Sequence, residues 1–229
     1  MVTGVLTNPL QTSLLDQRGA VGFDRAFAGA VRRRLAGGAW LEVVPGWVDG
    51  ADDLFAAVLA AGEWSQYSMR MYDAIVDSPR LTTSWHVGEL PDDLTVLRAM
   101  GAALSARYRT ALPRVSANLY RDGRDSVAWH GDKVARDLPE AVIAVLTLGH
   151  TRPFRLRPRG GGPSLKLEPA RGDLIVMGGS CQRTWQHAVP KVAEAGPRIS
   201  IMWREAYTDA DRARAAAARR ARRDDPRTA

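Results

Sequence analysis

The stretch "VSANLYRDGRDSVAWHGD" (residues 115–132) contains two short runs, "VSANLY" and "SVAWH", on either side of "RDGRD". Their near-alternation of apolar and polar residues marks extended chain, and Asp122-Gly123 predicts a tight hairpin turn between them. Working outward, "AVIAVLTLG" (141–149) is a continuous apolar run, the pattern of a strand buried on both faces. "FRLRP", "SLKLEP", "DLIVMGG", "TWQHAV" and "RISIMWR" follow at regular intervals between Gly and Pro residues. About eight short strands in 115–204 predict a two-sheet jelly roll. The expected fold class is α+β, mainly β: a double-stranded β-helix with N-terminal helices packed outside.

Upstream, apolar residues at helical spacing predict a helix over 24–36 that stops at Gly37-Gly38. A clearer helix is expected over 49–64, capped by Asp49, with Asp52 and Asp53 suiting its dipole. Another is expected over 92–109, and 65–88 reads as loop or short strand. The expected division is a mobile leader (1–20), a helical extension and substrate lid (21–112), a jelly-roll core (113–204) and a basic tail (205–229). Residues 21–204 form one domain in this reading.

The chain has 229 residues, 45% hydrophobic and 25% charged, enough for one well-cored domain. No apolar run approaches a membrane span, and no secretory signal is legible. The one cysteine, Cys181, excludes an internal disulfide and suits a reducing cytoplasm. A net charge of +7 favours a polyanionic partner such as nucleic acid, although a strong arginine bias weakens that inference.

His130 and Asp132 sit on alternate positions of an extended segment, so they share a face and form a two-point chelate. His150 and His187 are the candidates to complete a triad of two His and one carboxylate, which suits a non-haem Fe(II) oxygenase. His187 is preferred, because a jelly roll returns its strand beside the first hairpin, whereas His150 reads as a surface turn. Arg198 and Arg204 are six apart in an apolar strand and face one side together. Such inward arginines call for an anion: either a buried acid such as Asp132 or Asp173, or a ligand with a carboxylate at each end. Asn118 and Tyr120 share a face on the first strand and offer neutral donors.

"NLYRDGRDSVAWHGD", "GDLIVMGGSCQRTWQHAVPK" and "RISIMWR" together resemble the AlkB family of Fe(II)- and 2-oxoglutarate-dependent nucleic-acid dealkylases. The resemblance covers roughly 60–204 and rests on N-x-Y, H-x-D, H and R-x5-R occurring in that order. It implies iron ligands His130, Asp132 and His187, and 2-oxoglutarate bound by Asn118, Tyr120, Arg198 and Arg204. O2 is the further cosubstrate, with succinate and CO2 as products, and an oxidised N-methyl group leaves as formaldehyde. Two positions depart from the family pattern: Val134 stands where DNA-repairing members often have an acid, and Ser200 where some have Asn.

A base inside a duplex must be flipped or supplied single-stranded to reach such a centre. Trp64, Met71 and Tyr72 are candidate lid residues, and Arg80 is a candidate phosphate contact. Trp129, opposite His130 in the alternation, is expected in the core, and Arg157 and Arg159, in a flexible loop, are candidate phosphate contacts. Gln11, Leu14 and Leu15 resemble the short peptides by which bacterial repair proteins hold the sliding clamp. The expectation is a monomeric, cytoplasmic dealkylase of DNA, single-stranded DNA or RNA. Its alternatives are the same oxygenase acting on a protein or small molecule, and a non-catalytic nucleic-acid-binding module.

Overall fold

The computed structural model describes residues 21–71, 74–132, 135, 138–206, 210, 213 and 217, and the side chains of these except 69–71 and 74–76. The strands are β1 Gly22–Phe23, β2 Val31–Arg34, β3 Ala39–Val44, β4 Val48–Asp49, β5 Ser68–Met71, β6 Ala74–Asp77, β7 Leu81–His86, β8 Arg114–Tyr120, β9 Val127–His130, β10 Ile143–Gly149, β11 Phe154–Pro158, β12 Leu165–Leu167, β13 Leu174–Gly179, β14 Trp185–Val189 and β15 Arg198–Arg204. Helices α1 (Ala51–Ala61) and α2 (Thr95–Tyr108) precede β8, and a short turn of helix, α3 (Cys181–Thr184), precedes β14.

Seven strands form an antiparallel sheet in the order β2-β3-β13-β10-β15-β8-β7, and four form a second, β12-β11-β14-β9. The eight strands expected within 115–204 all form. Three strands of the large sheet come from the N-terminal part, so that part is more than a cap of helices. Alternation divides the large sheet's residues between two cores. Ala144, Leu146 and Leu148 of β10, with Ile199, Ile201 and Trp203 of β15, face α1 and α2, meeting Leu54, Val58, Leu97 and Leu104. Ile143, Val145 and Met202 face the small sheet and meet Phe154, Leu156 and Trp185.

Several expectations are corrected. No helix spans 24–36: Asp24 accepts hydrogen bonds from the amides of Ala26 and Ala28, fixing a turn, and Val31–Arg34 is an edge strand. The apolar residues at helical spacing there matched a helical count by coincidence. Helix α1 begins later than expected, with Gly50 at its N-terminus in the left-handed region (φ 67°), while Asp49 pairs with Gly22 in a strand. The Asp122-Gly123 turn is not a hairpin, because β8 and β9 lie in different sheets. It is a crossover clamped by Arg152, a buried residue whose guanidinium donates to the carbonyls of Asp122 (2.8 Å), Asp125 (2.9 Å) and Pro190 (2.7 Å).

Arg152→Leu leaves those carbonyls without donors, at a cost of about 3 kcal/mol. Denaturant unfolding at neutral pH is expected to show that loss, and an unchanged midpoint would refute the clamp.

A candidate active site between the two sheets

The cavity opens on the inner face of the large sheet, where β7, β8 and β15 present polar side chains. In register, Ser200 lies opposite Asn118, Arg198 opposite Tyr120, and Thr82 opposite Asn118 on its other side. The even spacing from 198 to 204 therefore puts both arginines on the inner face, as expected. The cavity measures about 1190 Å³, and its lining includes Asn118, Tyr120, His130, Asp132, His187 and Arg204.

His130 ends β9 and is paired in register with His187 of β14, so the two imidazoles face inward side by side, their ring centres 4.2 Å apart. His130 Nδ1 lies 2.8 Å from the carbonyl of Ala128, which fixes the proton on that nitrogen and leaves Nε2 as an electron-pair donor. His187 stacks on Phe154, ring centres 5.5 Å apart. Burial lowers both imidazole pKa values; for His187 the cations of its surroundings, His130 when protonated and Arg204, lower it further, well below the usual range. Both rings are neutral at neutral pH, the form that can ligate metal.

Asp132 follows two residues behind His130. Its amide donates to Gln182 Oε1 (3.0 Å), a buried side chain from α3, and its Oδ2 lies 3.0 Å from Arg204 Nε. That ion pair lacks hydrogen-bond geometry, and Oδ2 is buried with no hydrogen-bond partner. Gly131, between the two, is there because a Cβ would collide with the Gln182 carbonyl and the Arg159 guanidinium. Among the described residues no three His, Cys, Asp or Glu side chains stand close enough to close a metal site. Two neutral imidazoles and an orphaned carboxylate oxygen are nevertheless the donor set that suits Fe(II) with positions left open.

Arg198 is fully buried behind Tyr120 and Ser200, which line the cavity. It donates to Ser200 Oγ and to Thr147 Oγ1 (3.2 Å), its guanidinium lies 5.3 Å from the Tyr120 ring centre, and its Nε has no partner. Burial pulls its pKa down. Of the two acids weighed as partners, Asp173 instead accepts from the amides of Gly46 and Ala170, and Asp132 meets Arg204. One arginine thus meets an acid and the other meets none among the described residues. Asn118 donates only a long contact to Met202 Sδ (3.7 Å).

His150 is set aside: its Nδ1 lies 3.0 Å from the Thr151 carbonyl on an exposed turn. Trp64 is corrected from lid to core, since its indole donates to the Leu59 carbonyl at the end of α1 (2.9 Å) and packs on the outer core. Arg80 does line the cavity, donating to Tyr67 Oη (2.9 Å) and, more weakly, to the Ser126 carbonyl (3.4 Å). Met71 ends β5, and its side chain lies outside the described residues, as do Tyr72, Val134, Gln11, Leu14 and Leu15. Arg159 donates to the Gln182 and Arg183 carbonyls and so braces α3. Cys181 is buried, its thiol pushed up to about 12.

Tyr67, Gln182 and Thr147 escaped the sequence reading. Tyr67 lies in the aromatic-rich stretch before Pro79 and had a signal there. Gln182 and Thr147 act through contacts 50 and 51 residues distant in sequence, which nothing local announces.

Residues 86–220 match the model of the 2OG-Fe(II) oxygenase superfamily. The chain belongs to that superfamily, whose metal is Fe(II) and whose cosubstrates are 2-oxoglutarate and O2. Within it the AlkB resemblance is borne out: the chain is 31% identical over 189 residues to "Alpha-ketoglutarate-dependent dioxygenase alkB homolog 3" of Bos taurus, covering 72% of this chain and 65% of that protein. It is also 31% identical over 156 residues to "DNA oxidative demethylase ALKBH2" of Arabidopsis thaliana, covering 57% and 48%. The chain thus spans about two thirds or less of these relatives' lengths. A prolyl hydroxylase of Trichoplax adhaerens, solved with a hypoxia inducible factor fragment, shares the fold at 14% identity and TM-score 0.57, over 76% of this chain and 86% of that one. Among the described residues no helix is long and apolar enough to cross a membrane.

The lowered histidine pKa values carry a sign. Below pH ~6.5 the unfolded chain's histidines take up protons that the folded, metal-free protein resists. The unfolded state then binds more protons, so stability falls as pH drops. The melting temperature of metal-free protein is expected to decline from pH 7 to pH 5, and a constant value would count against two buried neutral rings.

Proposed function

We propose that this chain removes alkyl groups from N-alkylated nucleobases in DNA, as a monomeric cytoplasmic enzyme of alkylation repair. The observation that carries the reading is the shared cavity: the histidine pair, Asp132, Asn118, Tyr120 and Arg204 line it together with Arg80 and Tyr67. His130, Asp132 and His187 would hold Fe(II), which when bound supplies the oxidising chemistry that couples 2-oxoglutarate decarboxylation to C–H hydroxylation. The chain's own part is to place and protect. Gln182 and Gly131 set the position of Asp132, and the Ala128 carbonyl sets the His130 tautomer. Arg204 and Arg198 offer cations to a dicarboxylate, with Asn118 and Tyr120 beside them. Arg80 and Tyr67 offer a cation and an aromatic face to a flipped nucleotide.

The protein loaded with Fe(II) and 2-oxoglutarate is expected to release formaldehyde from 3-methylcytosine or 1-methyladenine in single-stranded DNA. kcat/KM is expected to be at least about tenfold higher on the strand than on the free nucleoside, because strand contacts contribute binding energy. Succinate without formaldehyde on any of these substrates would shift the target to a protein or small molecule.

A further inference from the structure

Trp129 precedes His130 on β9, so its indole leaves the opposite face of the strand from the imidazole. That face is the outside of the small sheet, and the indole is only half-buried there, not in the core where the alternation had placed it. The Arg157 guanidinium lies 4.2 Å from the indole centre. Arg157 belongs to β11, reaching across β14, whose Gln186 is its partner in register. Its Nε is buried without a hydrogen-bond partner, and no acid pairs with it among the described residues. Arg155, two positions earlier on the same outward side, donates a long bond to Ser164 Oγ (3.4 Å). Lys166 on the neighbouring β12 is neutralised by Glu168 at 2.8 Å. β9 is the edge strand of the small sheet and runs along the rim of the cavity, so this outer surface adjoins the site.

A guanidinium stacked on an indole gains a cation–π contact and keeps its remaining N–H donors for an anion. One guanidinium stacked on an aromatic ring, with a second two positions along the same strand face, matches a flexible phosphate backbone with exposed bases. An acidic peptide would meet the cations but has no use for the indole.

We propose that the outer face of the small sheet, through Trp129, Arg157 and Arg155, binds the single-stranded nucleic acid flanking the base held in the cavity. This rests on the dealkylase reading for what enters the cavity, but strand binding is measurable without turnover.

The test is the affinity of the full chain for a short, unmethylated, single-stranded oligodeoxynucleotide, by fluorescence anisotropy over a range of salt concentrations. Arg157→Gln is expected to weaken binding about tenfold and to reduce the slope of log K against log salt by about 0.7, one phosphate's share. Trp129→Leu is expected to cost about tenfold, and Trp129→Phe, which keeps an aromatic face, much less. Arg33→Gln removes one charge from the exposed β2 edge of the other sheet and is expected to leave binding unchanged. Unaltered binding in Arg157→Gln, an equal loss in Arg33→Gln, full competition by polyglutamate, or no binding by the parent protein would each overturn the proposal. Dependence on Trp129 and Arg157 without any formaldehyde would uphold the surface and sink the dealkylase reading. Formaldehyde with unaltered strand binding would do the reverse.

Discussion

His187→Ala is expected to abolish Fe(II) retention and turnover together, with kcat falling at least about a thousandfold. Loss of a group that only orients a metal ligand typically costs ten- to a hundredfold, and this change removes a ligand candidate itself. His187 faces His130 across the β9–β14 pairing, and no other histidine on the described chain approaches them: His150 is on an exposed turn and His86 lies on the β7 edge strand. The remaining His130 and Asp132 would offer only two donors and hold Fe(II) weakly. Anaerobic equilibrium dialysis reads the loss directly, and circular dichroism shows that the sheets persist. His187→Gln keeps the volume and a polar tip, so it separates ligation from packing against Phe154. Iron retained at parental affinity in either variant would remove His187 from the centre.

Arg198→Met is expected to raise the KM for 2-oxoglutarate about 100-fold, or about 2.7 kcal/mol, within the range for truncating one partner of a buried charge pair. The same substitution is expected to stabilise the cosubstrate-free protein. A fully buried guanidinium with two hydroxyl partners, the Tyr120 ring and an orphaned Nε carries a desolvation cost that these neutral contacts offset only in part until an anion arrives, whereas Met fills similar space without it. Opposite signs in the two measurements identify Arg198 as a ligand-binding cation. A KM that does not move would assign it to structure alone, braced by Thr147 and Ser200.

Much of this was legible because β-strand periodicity is local. The spacing of Asn118 and Tyr120, of His130 and Asp132, and of Arg198 and Arg204 suggests which side chains share a face; the register bears out the first and last of these pairs, whereas Asp132 lies beyond the end of β9 and meets His130 as a fellow lining residue of the cavity. Pairing partners are not local. Asp122-Gly123 had the composition of a hairpin turn, yet Arg152, 30 residues away from Asp122, anchors it as a crossover between sheets. Trp129 was misplaced for a related reason: alternation tells which residues oppose the histidine, but the side opposite the cavity of this small sheet is solvent, not core. The helix expected at 24–36 failed because Asp24 satisfies local amides in a turn, and the Glu42 carboxylate draws Arg32 into an ion pair at 2.8 Å across the strands. Glu42 keeps its charge there despite burial, held below the usual carboxylate range by Tyr108, Arg32 and Arg107.

The central claim is that one cavity couples 2-oxoglutarate consumption to removal of a base methyl group. The most direct test is a single-turnover reaction of the Fe(II)-loaded protein with 3-methylcytosine in single-stranded DNA, measuring succinate and formaldehyde together, with His130→Ala alongside. The account predicts the two products in equal amounts from the parent protein and neither from the variant. Formaldehyde without succinate, or products undiminished in His130→Ala, would contradict it.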